Sequence, residues 1–188
     1  MRNALFLAYP QYADFEIAHA LFLLKKIGNF TITTVTIDGK VVESIGGIQT
    51  QSTSIKDINV AEFEVILIAG GDGVQEILYN ESVKNLLENA FQLNIPIASI
   101  CASALLLAKA GILIDKKITC LLHTYENNQN LFRHSRYTGN DIEIAGSIIT
   151  AKGTAFAKFA VSVCRQVGLL QDQKEYNRFF NFCRGISS

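Results

Sequence analysis

One cysteine lies where the sequence changes from a strand pattern to a helix pattern. Cys101 follows the apolar run of residues 95–100 and precedes an Ala- and Leu-rich segment that continues to residue 108. A strand that runs directly into a helix must turn sharply, and the small residues on both sides of Cys101 allow this. The first amides of the helix would then point at the sulfur and favour its reactive thiolate. A buried, unreactive thiol is the competing interpretation.

Three further features could complete a cysteine site. The amide of Ala102 directly follows the cysteine, where one donor to an oxyanion is usually found, and the Gly71 amide could be the second. Glu16 comes shortly after an apolar strand, and a buried carboxyl there could donate or move a proton. Each feature also has an ordinary interpretation, because Gly70 and Gly71 suit a tight turn and an acidic first helical turn complements the helix dipole.

The histidines give no clear partner for the cysteine. His123 has the most favourable position of the three, because it falls just after a predicted strand end, although a surface-loop histidine is the more common case. His19 lies three residues beyond Glu16 in the same predicted helix, and His134 lies in a polar stretch. The sequence therefore leaves open whether a Cys–His pair exists.

The element pattern places the candidate residues at one edge of a sheet. Strands that alternate with helices predict a mostly parallel central sheet with helices on both faces. The predicted strands are residues 4–8, 30–37, 65–69, 95–100 and 118–122, followed by a hairpin over residues 142–150. Ligands of such sheets gather beyond the carboxyl ends of the strands. Glu16, Gly70 with Gly71, and Cys101 are therefore expected to meet in one crevice.

Composition narrows the class of protein. The chain has 188 residues, 49% of them hydrophobic, and 17 basic residues balance 17 acidic ones. These values favour one compact domain over residues 1–188 and give no electrostatic signature for nucleic acid. No apolar stretch is long enough for a membrane span or a signal peptide. Four cysteines without metal-ligand spacing indicate a reducing compartment, so we expect a cytoplasmic protein without a metal site.

No cofactor signature is present either. The glycines of residues 70–73 lack the third glycine of a dinucleotide fingerprint at the required offset. We therefore expect the chemistry to depend on the cysteine and its neighbours, without a cofactor.

Four motifs in sequence order resemble the ThiJ/PfpI superfamily, which is related to the class I glutamine amidotransferases. The motifs are residues 12–16, 68–71, 97–113 and 150–156. The resemblance covers nearly the whole chain and implies a flavodoxin-like three-layer sandwich and a homodimer. It also implies a reactive Cys101 beside Glu16. The residues predicted to contact substrate are Gly70, Ser103, His123, Gly153 and Thr154.

Two positions depart from the family pattern. Ser103 stands where the family usually has glycine, two residues after the nucleophile. Thr119 is followed by Cys120, whereas a histidine directly follows this threonine in many relatives. Peptidase activity depends on that histidine, so we do not expect it here.

Three functions remain open from the sequence. The first is an enzyme of glyoxalase, deglycase or amidase type, in which Cys101 attacks a small carbonyl or amide substrate and Glu16 moves the proton. The second is a redox or stress sensor whose Cys101 is oxidised to a sulfinic acid. The third is a binding or chaperone-like protein that has kept the fold and lost the chemistry.

Overall fold

The computed structural model describes residues 2–186, which form eleven strands and eight α-helices. The strands are β1 (Asn3–Leu7), β2 (Thr31–Thr36), β3 (Val42–Glu43), β4 (Gln49–Thr50), β5 (Thr53–Ser54), β6 (Val65–Ile68), β7 (Ile97–Ile100), β8 (Lys117–Ile118), β9 (Arg136–Tyr137), β10 (Ile142–Ala145) and β11 (Ile148–Ala151). The helices are α1 (Asp14–Gly28), α2 (Val74–Ile77), α3 (Glu81–Gln92), α4 (Ala104–Lys109), α5 (Leu122–Asn127), α6 (Gln129–Phe132), α7 (Phe156–Gln166) and α8 (Gln173–Cys183).

A seven-stranded sheet forms the centre, with the spatial order β10-β11-β7-β6-β1-β2-β5. Its neighbouring strands are parallel, except for the antiparallel hairpin of β10 and β11. Every residue of β6, β7 and β11 is buried. Strands that are covered on both faces read as continuous apolar runs, which explains their sequences.

The helices form two packed groups around the sheet. Helix α1 packs on α7, which packs on α8, and α4 contacts both α3 and α6. The predicted α/β sandwich with helices on both faces and the predicted hairpin are confirmed. No helix within residues 2–186 is both long and apolar enough to cross a membrane.

The predicted strand over residues 118–122 is wrong. Strand β8 contains only Lys117 and Ile118, and it pairs with β9 outside the central sheet. The amide of Thr119 donates to the Thr150 hydroxyl at 3.0 Å, so a side chain replaces the ladder there. Helix α5 then begins at Leu122. Residues 119–121 therefore connect β8 to α5 and do not continue the strand.

Two loops at the carboxyl edge of the sheet hold each other closely. The Ala13 amide donates to Gly70 O at 2.8 Å, and the Asp72 amide donates to Gln11 O at 3.1 Å. Gly71 has a φ of 133°, and a Cβ there would collide with the carbonyl of Gln11. Only glycine combines that backbone with that approach. The contact brings the start of α1 beside the end of β6.

Candidate active site

Cys101 occupies a strained turn between β7 and α4. Its φ is +62°, a left-handed conformation that costs a residue with a Cβ roughly 1–3 kcal/mol. Residues Cys101–Ser103 form a single 3-10 turn before α4 begins at Ala104. Cys101 remains partly exposed, and the Ala102 amide lies close enough to lower the pKa of its thiol. This arrangement presents one side chain at the carboxyl edge of the sheet, as the strand-to-helix pattern predicted.

Glu16 reaches the same edge from the first turn of α1. Its side chain is only 3% exposed, and Oε2 accepts a hydrogen bond from the Gly70 amide at 2.8 Å. Asp14, two residues earlier, is the first residue of the helix and follows Ala13 as the cap. Glu16 is therefore a buried carboxyl tied to the end of β6, in contrast to the solvated first-turn glutamate of the ordinary interpretation.

Two glycines make room for the cysteine and the glutamate to face each other. A Cβ on Gly70 would stand 2.6 Å from Glu16 Oε2 and 3.0 Å from Cys101 Sγ. A Cβ on Gly153 would collide with Glu16 Oε1 and stand 3.1 Å from the same sulfur. The carboxyl and the sulfur thus both border the space beside each bare Cα. Any side chain at either glycine would enter the space that the pair shares.

Burial sets the protonation of this pair. Burial raises the pKa of the Glu16 carboxyl, while hydrogen bonds with the Cys101 thiol and the Gly70 amide oppose that rise. Burial also raises the pKa of the Cys101 thiol to about 12, and the charge of an ionised Glu16 adds to this. A neutral Glu16 has the opposite effect on the pKa of the thiol, because a protonated carboxyl can donate a hydrogen bond to a thiolate and so stabilise it. The two groups therefore titrate together and can share one proton.

The two amides predicted to form an oxyanion hole lie at this edge of the sheet. The Ala102 amide is close enough to the sulfur to lower the pKa of the Cys101 thiol. Gly71 follows directly after Gly70, which borders the sulfur. The contact between the two loops beside Gly71 uses the amides of Ala13 and Asp72. An oxyanion role for the amides of Gly71 and Ala102 stays a prediction.

Three of the predicted substrate contacts differ in exposure. Ser103 has no exposed surface, and its hydroxyl lies 3.0 Å from Ile68 O and 2.8 Å from Ile100 O, so it is turned toward the backbone of the strand ends. His123 is exposed on α5 and does not affect the pKa of Cys101. Thr154 is exposed in the turn that follows Gly153.

The other two histidines do not complete a pair with the cysteine. His19 stacks on Phe156 with ring centroids 5.5 Å apart, and its Nδ1 is buried without a hydrogen-bond partner. His134 accepts a hydrogen bond from Arg133 Nε at 2.9 Å. Within residues 2–186, the ionisable side chains that shift the pKa of Cys101 are those of Glu16 and Cys120.

Sequence reasoning missed two buried neighbours of the sulfur. Tyr9 follows β1 and donates its hydroxyl hydrogen to Ala69 O at 2.7 Å. Burial raises the pKa of Tyr9, and the charges of Glu16 and Cys101 add to that rise. Cys120 lies close enough to affect the pKa of Cys101. The sequence could have indicated Tyr9, because this residue comes just after a strand end. It could not have indicated Cys120, because the position of Cys120 depends on the path of the connection between β8 and α5.

The described part of the chain offers no metal site. No group of three or more His, Cys, Asp or Glu side chains within residues 2–186 is arranged to hold an ion. The chemistry available at this edge is that of a thiol, a carboxyl and backbone amides.

Sequence comparison connects the chain to a characterised family. The model of the DJ-1/PfpI family matches residues 2–166. The Bacillus subtilis protein named "Uncharacterized protease YdeA" is 29% identical over 97% of this chain and 95% of its own length. The Pyrococcus furiosus protein named "Deglycase PfpI" is 24% identical over 61% of this chain and 69% of its own length. The Caenorhabditis elegans "Glutathione-independent glyoxalase DJR-1.2" is 28% identical over 58% of both chains.

Solved structures share the fold at low sequence identity. The DJ-1 superfamily protein Atu0886 from Agrobacterium tumefaciens superposes with a TM-score of 0.85 at 23% identity, over 98% of this chain and 99% of its own. Drosophila melanogaster DJ-1beta superposes with a TM-score of 0.81 at 20% identity, over 100% of this chain and 99% of its own. At these identities the likeness concerns the fold.

Proposed function

Because the chain belongs to the DJ-1/PfpI family, we propose that it is a cysteine-dependent enzyme that acts on small carbonyl compounds. The substrates would be 2-oxoaldehydes or their adducts, in keeping with relatives that are named deglycases and a glyoxalase. Cys101 is the nucleophile, and Glu16 carries the proton. The observation on which this proposal depends is the strained, partly exposed thiol that shares the space beside Gly70 and Gly153 with a buried carboxyl.

The first step is the addition of the sulfur to an aldehyde carbon. The thiolate forms a C–S bond, and the carbonyl oxygen becomes an alkoxide that takes the proton held by Glu16. The amides of Gly71 and Ala102 would stabilise that oxygen while its charge develops. The product of this step is a hemithioacetal beside an ionised Glu16.

Glu16 can then act as the base. It removes the proton from the former aldehyde carbon, and the electron pair shifts to give an enediol, which is protonated at the neighbouring carbon. The result is a thioester of a 2-hydroxy acid, which water hydrolyses to free the thiol. The net change is the addition of one water to the oxoaldehyde, so no external oxidant or reductant is needed.

The test is turnover of methylglyoxal by the wild-type chain and by Cys101→Ser. We expect 2-hydroxy acid from the wild type and none from the variant, with equal thermal stability. Cys164→Ser is a matched control, because Cys164 is a fully buried thiol in α7 and its replacement leaves the crevice unchanged. Unchanged turnover in Cys101→Ser would exclude the mechanism.

Oxidation of Cys101 is the second candidate function, and the buried carboxyl of Glu16 beside the partly exposed Cys101 favours it. A sulfinic group formed by peroxide needs room for two oxygens, and a protonated Glu16 can donate to one of them. Intact-mass measurement after mild peroxide distinguishes the candidates. A gain of two oxygens at Cys101 in a protein that turns over no oxoaldehyde would favour the sensor.

The proposal includes a homodimer, and an exposed aromatic strip supports it. Phe15, Phe22 and Phe182 are each about half exposed, and the rings of Phe22 and Phe182 stack with centroids 5.8 Å apart. Apolar clusters of this kind on a soluble domain commonly mark interaction surfaces. Light scattering on wild type and Phe22→Asp tests this point, and we expect the variant to be monomeric.

A further inference from the structure

We propose that the Ser103 hydroxyl is a positioning group that holds Cys101 and Glu16 face to face. The inference rests on the proposed function of that pair. Ser103 hydrogen-bonds neither the sulfur nor the carboxyl. It joins the end of β7, which leads to Cys101, to the end of β6, which leads to the Gly70 amide that holds Glu16. Ser103 stands where the ThiJ/PfpI family usually has glycine, so this hydroxyl is a feature of this chain's own sequence.

The hydroxyl is surrounded by buried polar groups. Ser103 has no exposed surface, and its Oγ accepts a hydrogen bond from the Ile100 amide at 3.1 Å. The same oxygen lies 3.0 Å from Ile68 O, 2.8 Å from Ile100 O and 2.9 Å from Ser99 Oγ. A hydroxyl has one hydrogen to donate, so it serves one of the two carbonyls at a time, and the other remains within reach.

These contacts lie where the ladder between β6 and β7 ends. The two strands pair in parallel as far as Ile68 and Ser99. Beyond that point β6 leads to Gly70 and β7 leads to Cys101, and a Cβ on Gly70 would stand 3.0 Å from the Cys101 sulfur. The Ser103 hydroxyl accepts from the Ile100 amide and lies within reach of the Ile68 carbonyl. It therefore adds a side-chain link between the two strand ends at the crevice.

Each strand end leads to a residue that holds or is one member of the pair formed by Cys101 and Glu16. The end of β6 leads to the Gly70 amide, which holds Glu16 Oε2. The end of β7 leads to Cys101, whose left-handed backbone needs support from its surroundings. Without the hydroxyl, the Ile100 amide and the carbonyls of Ile68 and Ile100 lose a buried hydrogen-bonding neighbour, which weakens the link between the two strand ends. The turn at Cys101 is the adjacent part of the chain that can move.

The experiment measures the pH profile of Cys101 alkylation by iodoacetamide in the wild type and in Ser103→Ala. The ionisable groups that face the thiol are Glu16, Cys120 and Tyr9, and all three remain in the variant. If the hydroxyl holds the pair together, the alkylation rate at pH 7 falls by about tenfold in Ser103→Ala, and its profile moves toward that of an ordinary buried thiol.

Two serines provide matched controls. Ser99→Ala removes the partner of one Ser103 hydrogen bond but leaves the links to Ile68 and Ile100 in place. Ser162→Ala removes another buried hydroxyl, in α7, which lies 3.5 Å from the Tyr176 hydroxyl. We expect both controls to keep the wild-type pH profile, even where their melting temperature falls.

The outcomes separate this role from the proposed function. A folded Ser103→Ala with a wild-type profile overturns the positioning role. If Ser103→Ala does not fold, Ser103→Gly is scored in the same way, and failure of both to fold also overturns it, since the hydroxyl then supports the whole domain. Methylglyoxal turnover is measured in parallel. A wild type without turnover, combined with a shifted Ser103→Ala profile, removes the enzymatic proposal and supports the positioning role.

Discussion

Cys101 and Cys120 show what burial does to a thiol and what a partner adds. Both follow a strand, and burial raises the pKa of each to about 12. Cys120 is fully buried, and the nearby backbone of Tyr125 opposes part of the rise in its pKa. Cys101 is partly exposed, has a left-handed backbone and faces a buried carboxyl. Burial is the largest cause of the raised pKa at both thiols, so we expect a difference in their reactivity to come from Glu16 and from access.

The largest expected difference between Cys101 and Cys120 is in their rates of alkylation in the native protein. We expect iodoacetamide at pH 7 to modify Cys101 at least about 100-fold faster than Cys120, because a sealed thiol reacts only when the fold opens locally. Peptide mass spectrometry over a time course gives both rates. Cys120→Ala should leave the Cys101 rate unchanged. Equal rates at the two cysteines would contradict the distinction.

A side chain in the space between Cys101 and Glu16 should slow the alkylation of Cys101. We expect Gly153→Ala to slow Cys101 alkylation by about 10- to 100-fold and to lower the free energy of unfolding by about 1–3 kcal/mol, because its Cβ would collide with Glu16 Oε1. Gly146→Ala is the control. Gly146 has a positive φ, which Gly153 lacks, and nothing lies within 4 Å of its added Cβ. That variant should lose stability and keep the wild-type alkylation rate.

The smallest predicted effect is on stability at alkaline pH, where the two thiols should behave alike. Their folded pKa of about 12 exceeds the unfolded value of 9.0, so each stabilises the fold below about pH 9 and loses that contribution as pH rises toward 12. Between pH 8 and 10, wild type should lose about 1 kcal/mol more free energy of unfolding than either Cys101→Ala or Cys120→Ala. Urea titrations at both pH values measure this. A loss confined to one variant would show that the two environments differ in burial.

The sequence was sufficient for the features that depend on local pattern. The apolar run before Cys101, the Ala- and Leu-rich segment after it and the hairpin around Gly146 each carry their own signal, because strands buried on both faces and tight turns restrict residue type locally. The meeting of Glu16, Gly70 and Cys101 followed from one topological rule about parallel sheets.

What the sequence could not predict depends on contacts between distant segments. The strand at residues 118–122 is cut short because the Thr150 side chain takes the Thr119 amide. The Ser103 side chain lies toward the strand ends because its hydroxyl accepts from the Ile100 amide and lies within reach of the carbonyls of Ile68 and Ile100. The approach of Gly153 to Glu16 arises where the turn before α7 meets α1. None of these three contacts produces a recognisable pattern in the neighbouring sequence.

The most direct test of proton sharing compares Cys101 alkylation at pH 7 in wild type, Glu16→Gln and Glu16→Met. Methionine has similar length but neither holds nor donates a proton, whereas glutamine keeps an N–H donor. If a neutral Glu16 supports the thiolate, the rate falls at least about tenfold in Glu16→Met, with Glu16→Gln in between. If the carboxylate only repels the thiolate, both substitutions raise the rate, and that result would contradict a shared proton between Cys101 and Glu16.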